Sequence, residues 1–188
     1  MQINMGVIKN ENQICIHGKW FEPFITENEL KNRVSEIGHW LRNNYAHSVP
    51  VFLSILNGSF FFAADVIRHF SCECEISFIK MSSYQGKNSS GEINVALGLN
   101  HDLNGRDVII LEDIIDTGRT IHALLNILSK MNTTSIHVIT LLDKPAARIV
   151  EIPITFSGFV IENKFVVGYG LDYDQYGRNL KSIYKEVE

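Results

Sequence analysis

Val108-Ile109-Ile110-Leu111-Glu112-Asp113-Ile114-Ile115-Asp116-Thr117-Gly118-Arg119-Thr120 decides the reading of this chain. Val108 to Leu111 is a short, wholly apolar run of the kind found at the buried centre of a parallel sheet. Two adjacent acids, Glu112 and Asp113, follow it directly, and a helix-like stretch begins near Thr120. Gly118 lets the backbone turn sharply and approach a ligand closely. The free N–H groups of the turn and the helix start converge on one point, which suits a phosphate. Thr117 and Thr120 add hydroxyl donors. Asp116 or Thr117 is expected to cap the helix as well. Capping does not account for two acids placed straight after a buried strand. Beside a phosphate, Glu112 and Asp113 fit ribose hydroxyls or a hydrated magnesium ion, which prefers oxygen ligands.

The same alternation extends along the chain. Apolar, strand-like runs cover 51–56, 76–81, 93–99, 108–111, 136–142, 159–161 and 165–167, and helical spacing covers 60–70 and 120–131. Lys87-Asn88-Ser89-Ser90-Gly91 reads as a polar turn. Strands alternating with helices predict an α/β fold, a twisted and mainly parallel sheet covered on both faces. Ligands of such sheets bind beyond the C-terminal strand ends. Five polar segments follow strand ends here: 57–59, 82–91, 112–120, 143–144 and 168–173.

Composition narrows the partners. The chain has 188 residues, enough for one domain with a real core. A net charge of -4 gives no general attraction to nucleic acid or anionic membrane, so a polyanionic ligand needs a local site. Met1 to Gly6 lack a basic region followed by an apolar run, so no signal peptide is expected. No apolar run reaches the ~18 residues of a membrane helix. Cys15, Cys72 and Cys74 read as free thiols in a reducing, cytoplasmic setting. The 7 histidines form no metal-type or catalytic spacing. The chain has no G-x-x-x-x-G-K-[ST] loop, and Gly168-Tyr169-Gly170 fails as a dinucleotide fingerprint because Tyr173 takes the third glycine position.

The acids followed by Asp116-Thr117-Gly118-Arg119-Thr120 resemble the signature by which type I phosphoribosyltransferases bind 5-phosphoribosyl 1-pyrophosphate (PRPP). Other segments resemble the hypoxanthine(-guanine) branch of that family, and the likeness covers nearly the whole chain. It implies the type I fold, one domain over 1–188, with a small hood from the chain termini: the first ~20 residues and the region after about 150. Leu56-Asn57-Gly58-Ser59 resembles the pyrophosphate loop, with Arg178 as a further pyrophosphate ligand. In the family this loop can carry a cis, non-proline peptide, here Leu56–Asn57. Ser83 and Tyr84 resemble the pair on the mobile loop that closes over the site. Lys144 resembles the purine-recognising lysine. Lys164 to Tyr173 is similar to the base-binding segment, with Phe165 to stack on the purine and Val166 to offer backbone groups, while Ile114 packs on the other face.

The implied reaction joins a 6-oxopurine to PRPP, giving IMP or GMP and pyrophosphate through a charge-separated transition state. Mg2+ is the implied cofactor, with Asp172, Glu112 and Asp113 as its candidate ligands. Asp116 is the expected proton acceptor at purine N7. Lys144 sets the base class, because an ammonium donates and cannot accept. It suits a C6 carbonyl and disfavours adenine. A homodimer or homotetramer is implied as well. Two departures stand out: Asn57 occupies a place often basic, and Arg119 a place where lysine is common. The alternative reading is a regulator that senses PRPP or a nucleotide on the same fold.

Overall fold

The computed structural model describes residues 12–83, 93–97 and 102–187. The first elements are β1 (Ile14–Ile16), β2 (Lys19–Ile25) and α1 (Glu27–Tyr45). They lead into β3 (Val51–Leu56), α2 (Phe60–Phe70), β4 (Glu75–Ser83) and β5 (Ile93–Leu97). Next come β6 (Asp107–Ile115), α3 (Arg119–Leu128) and β7 (Ser135–Asp143), and then a 3-10 turn at Pro145–Ala147. The strands β8 (Phe156–Val160), β9 (Val166–Val167) and β10 (Ile183–Glu186) close the described chain.

A six-stranded sheet has the order β5-β4-β3-β6-β7-β8. Its strands are parallel except for β5, which runs antiparallel to β4 at the edge. The central strands are apolar on both faces, so each face needs its own cover. Phe52, Ile109, Leu111 and Ile139 pack under α1 and α2, through Leu30, Val34, Ile37, Leu41, Phe62 and Val66. The alternate residues Val51, Leu53, Val108, Ile110 and Val138 pack under α3, through Ile121, Leu124 and Leu128. The period-2 pleat thus sorts one strand's side chains into two cores. This is the two-faced parallel architecture that the sequence predicts.

The helix α1 is fixed locally as well. Thr26 is its N-cap, and Thr26 with Glu29 forms a reciprocal capping box. A second, antiparallel sheet has the order β1-β2-β10-β9 and joins residues from both ends of the described chain. The region after 150 is divided: β8 completes the large sheet, whereas β9 and β10 belong to the small one. No helix among the described residues is long and apolar enough to cross a membrane.

Two local expectations are corrected. The strand β6 does not stop at Leu111. It runs on through both acids to Ile115, because pairing with β7 continues at Glu112–Thr140, Ile114–Leu142 and Ile115–Asp143. The helix α3 is capped by neither Asp116 nor Thr117. Its N-cap is Gly118, in the left-handed region at φ 81°, with no side-chain cap bond. The expected turn at 87–91 and the end of the strand at 98–99 lie outside the described residues.

Candidate functional site

Three segments converge at the C-terminal edge of the large sheet: the loop after β3, the end of β6 and the loop after β9. Gly58 is where two of them meet Asp113. A Cβ on Gly58 would lie 1.6 Å from Asp113 Oδ2, so only glycine lets this loop approach the carboxylate. A Cβ on Gly170 would lie 2.0 Å from the Gly58 carbonyl, which seats the 168–173 segment on the same loop. The Leu56–Asn57 peptide is cis. Asn57 is exposed, while Gly58 and Ser59 are buried. The Ser59 hydroxyl is occupied internally, by the Ser54 hydroxyl at 2.7 Å and the Ile55 carbonyl. A ligand at this loop therefore meets backbone N–H groups and Asn57 rather than the Ser59 side chain.

The loop after β6 borders a cleft of about 300 Å³, lined by Glu112, Ile114, Asp116, Thr117, Gly118 and Thr120 together with Ile115 and Ile121. Of the two adjacent acids, Glu112 lines this cleft and Asp113 lies against Gly58. Glu112 is buried, and its Oε2 has no hydrogen-bond partner among the described residues. Burial, and then the neighbouring Asp113, push its carboxyl well above the ordinary value. Asp113 accepts from the Ile114 N–H at 2.9 Å. Burial raises its carboxyl to about 6, against the lowering effects of backbone N–H groups and Arg178. Two desolvated acids, one with an orphaned oxygen, make a place that a cation or sugar hydroxyls would stabilise.

Asp116 lies at the mouth of the cleft. Its Oδ1 pairs with Lys144 Nζ at 3.1 Å, and the two differ sharply in exposure, 49% for Asp116 against 7% for Lys144. The buried ammonium is thus held by a carboxylate that still faces solvent. The Lys144 N–H also donates to the Ile115 carbonyl at 3.0 Å, fixing the end of β7 to the end of β6. Thr117 Oγ1 accepts a long bond from the Arg119 N–H at 3.5 Å. Arg119 and Asp116 are exposed, and Thr120 is partly buried.

Phe165 is exposed just before β9, the edge strand of the small sheet. Its ring is braced edge-on by Tyr173 at 5.7 Å between centroids, with Lys19 Nζ 5.9 Å from its centre. Val166 is buried and pairs with Lys185 on one side only, because β9 ends the sheet. Asp172 pairs with Arg178 Nη2 at 2.8 Å and accepts from the Gln175 N–H at 2.7 Å. Arg178 Nη1 donates to the Gly170 carbonyl at 2.8 Å. Asp172 also adds to the forces raising Asp113, so the two acids feel one another. Ser83 ends β4 opposite Ile93. Tyr84 lies outside the described residues.

The model of the phosphoribosyl transferase domain matches residues 26–174. The chain belongs to the phosphoribosyl transferase family. It is 45% identical over 160 residues to a hypoxanthine-guanine phosphoribosyltransferase of Lactococcus lactis, covering 85% of this chain and 87% of that one. The hypoxanthine phosphoribosyltransferase of Escherichia coli K12 is 40% identical over 169 residues, covering 88% and 95%. A crystal structure of a hypoxanthine phosphoribosyltransferase from Staphylococcus aureus superposes with a TM-score of 0.84 at 36% identity, over 88% of this chain and 91% of that one. The type I fold expected from the sequence is therefore the fold observed.

The buried acids make a thermodynamic prediction for this family member. A carboxyl whose folded value lies above its unfolded one binds an extra proton in the folded state. That contribution to stability is present at low pH and is lost as pH rises through the two values. For Asp113 the window runs from 3.8 to about 6. In chelator and without substrate, Asp113→Asn is therefore expected to raise the melting temperature at pH 7.5, with the gain shrinking toward pH 4. A gain that is absent, or the same at both pH values, contradicts the desolvation account.

Proposed function

We propose that the chain transfers the phosphoribosyl group of PRPP to hypoxanthine or guanine, releasing IMP or GMP and pyrophosphate. The observation that carries this reading is the pairing of Asp116, on the loop that borders the cleft, with Lys144, just after the end of β7. One partner can take a proton and the other can only donate. An ammonium has three donors, and Asp116 occupies one. The remaining donors suit the C6 carbonyl of a 6-oxopurine and leave an adenine amino group without a partner. Asp116, as a carboxylate facing solvent, accepts the proton at purine N7 as the new glycosidic bond forms.

The same reading assigns roles to the other residues. Thr117, Gly118, Arg119 and Thr120 hold the 5′-phosphate, through hydroxyls, the guanidinium and the first N–H groups of α3. Asn57, Gly58, Ser59 and Arg178 hold the pyrophosphate. Phe165 and Ile114 sandwich the purine, Val166 offers its unpaired backbone edge, and Ser83 with Tyr84 closes over the leaving group. Glu112 and Asp113 hold the ribose hydroxyls or Mg2+, with Asp172 as a further candidate ligand.

The residues fit magnesium in one particular way. Among the described residues no group of three or more ligand side chains forms a closed metal site. Magnesium seldom needs one: it keeps several waters and binds through one or two carboxylates plus substrate phosphates. The orphaned Glu112 Oε2 and the enclosed Asp113 supply such carboxylates. The ion would offset the charge that grows on departing pyrophosphate.

The same reading includes assembly as a homodimer or homotetramer. The alternative, a regulator sensing PRPP or a nucleotide, finds no support, since the relatives aligned over most of their length carry transferase names.

Lys144→Ala tests the base assignment. Loss of a charged hydrogen bond is worth about 1.5–3 kcal/mol, so the KM for hypoxanthine is expected to rise roughly 10- to 100-fold. The KM for PRPP should rise less. Equal rises in both would assign Lys144 to Asp116 alone and remove it from the purine.

A further inference from the structure

A loop can turn its N–H groups toward a phosphate only if its carbonyls point elsewhere and find donors there. In this chain every carbonyl from Ile115 to Gly118 has one. The Ile115 carbonyl accepts from the Lys144 N–H at 3.0 Å and from Arg148 Nη2 at 3.4 Å. The Asp116 carbonyl accepts from Arg148 Nε at 3.1 Å. The Thr117 carbonyl accepts from both the Ile149 and Val150 N–H groups, each at 3.0 Å. The Gly118 carbonyl accepts from the His122 N–H at 2.9 Å, inside α3. A Cβ on Gly118 would lie 2.6 Å from the Val150 carbonyl, so the fit behind the loop is close.

Arg148 is the one side chain in this arrangement. Its guanidinium is ion-paired with Asp143 at the end of β7, and the two side chains are only 12% and 13% exposed. A planar fork held by a carboxylate offers its donors in a fixed direction, which a lysine does not. It is aimed at the back of the loop, away from any group the loop would bind by its N–H face.

We propose that Arg148, held by Asp143, is a positioning residue that orients the 116–118 peptides so that their N–H groups face the 5′-phosphate. This rests on the proposed function only in taking the loop to be a phosphate site. The residue touches no reacting atom. Without it the Asp116 carbonyl loses its donor and the Asp143 carboxylate its partner, and the peptide between Asp116 and Thr117 is free to turn.

The test compares the unmodified chain with Arg148→Gln, Arg148→Lys and Asp143→Asn. Ribose 5-phosphate is titrated calorimetrically, and KM values for PRPP and hypoxanthine are measured beside the melting temperature. Arg148→Gln is expected to weaken ribose 5-phosphate binding about tenfold and raise the PRPP KM to match, the worth of one charge-assisted bond. The hypoxanthine KM stays unchanged. Arg148→Lys, which keeps the charge, shows a smaller loss of the same kind, and it decides the matter should Arg148→Gln fail to fold. A lowered melting temperature with unchanged ribose 5-phosphate binding in the folded variants overturns the proposal and leaves Arg148 a structural residue. If the unmodified chain binds ribose 5-phosphate but transfers nothing from PRPP, the proposed function falls, and the positioning role is judged by the binding constants alone. If the unmodified chain binds no ribose 5-phosphate, both fall.

Discussion

Asp116→Asn is expected to lower kcat by at least about 100-fold while leaving the PRPP KM nearly unchanged, as the loss of a general base should. Asparagine keeps the shape of the side chain and an oxygen within reach of Lys144, but it cannot take a proton. On the proposed reading the phosphate is held by backbone groups and by Thr117, Arg119 and Thr120, which this change does not touch. Lys144 then keeps a buried charge without a carboxylate partner, so the melting temperature should fall too. Steady-state kinetics with each substrate varied in turn checks this. Equal losses in kcat and in PRPP affinity would return Asp116 to a purely structural place in the loop.

Removing magnesium is expected to cost still more. Departing pyrophosphate gathers negative charge, and the described residues of the site supply few cations to meet it. Asn57 is uncharged in the loop after β3. Arg178 is engaged by Asp172 at 2.8 Å and by the Gly170 carbonyl. The two adjacent acids, Glu112 in the cleft lining and Asp113 against Gly58, worsen the balance unless a cation joins them. Turnover in excess chelator should therefore drop by about 1,000-fold or more and return when magnesium is restored. Activity that persists in chelator would contradict the roles given to both acids.

Much of this was legible in the sequence because it is local. Runs such as Val51–Leu56 and Phe60–Phe70 match observed elements at both ends, since their apolar periodicity and their breakers are both local signals. The helix Glu27–Tyr45 carries an equally local signal, the Thr26–Glu29 capping box before Leu30, Val34, Ile37 and Leu41, which a reading centred on the strands passes over. What was not legible depends on contacts between distant segments. An acid normally marks a strand end, so β6 reads as stopping at Leu111. Only the ladder with β7 carries it on to Ile115. Asp116 reads as a helix cap from its position alone. Lys144, 28 residues away by number, takes its carboxylate instead and leaves Gly118 as the cap. Arg148 looks like any arginine after a turn. Nothing in its spacing shows that it faces two carbonyls of the loop more than 30 positions earlier.

On the proposed function, this loop and Lys144 together select PRPP and a 6-oxopurine. The most direct measurement incubates the purified chain with PRPP and, separately, hypoxanthine, guanine, xanthine and adenine, with magnesium and with excess chelator, and follows nucleotide and pyrophosphate release. IMP or GMP with equimolar pyrophosphate is expected in magnesium only, with no comparable use of adenine. Adenine used as well as hypoxanthine, or no nucleotide from any base, would contradict the proposed function.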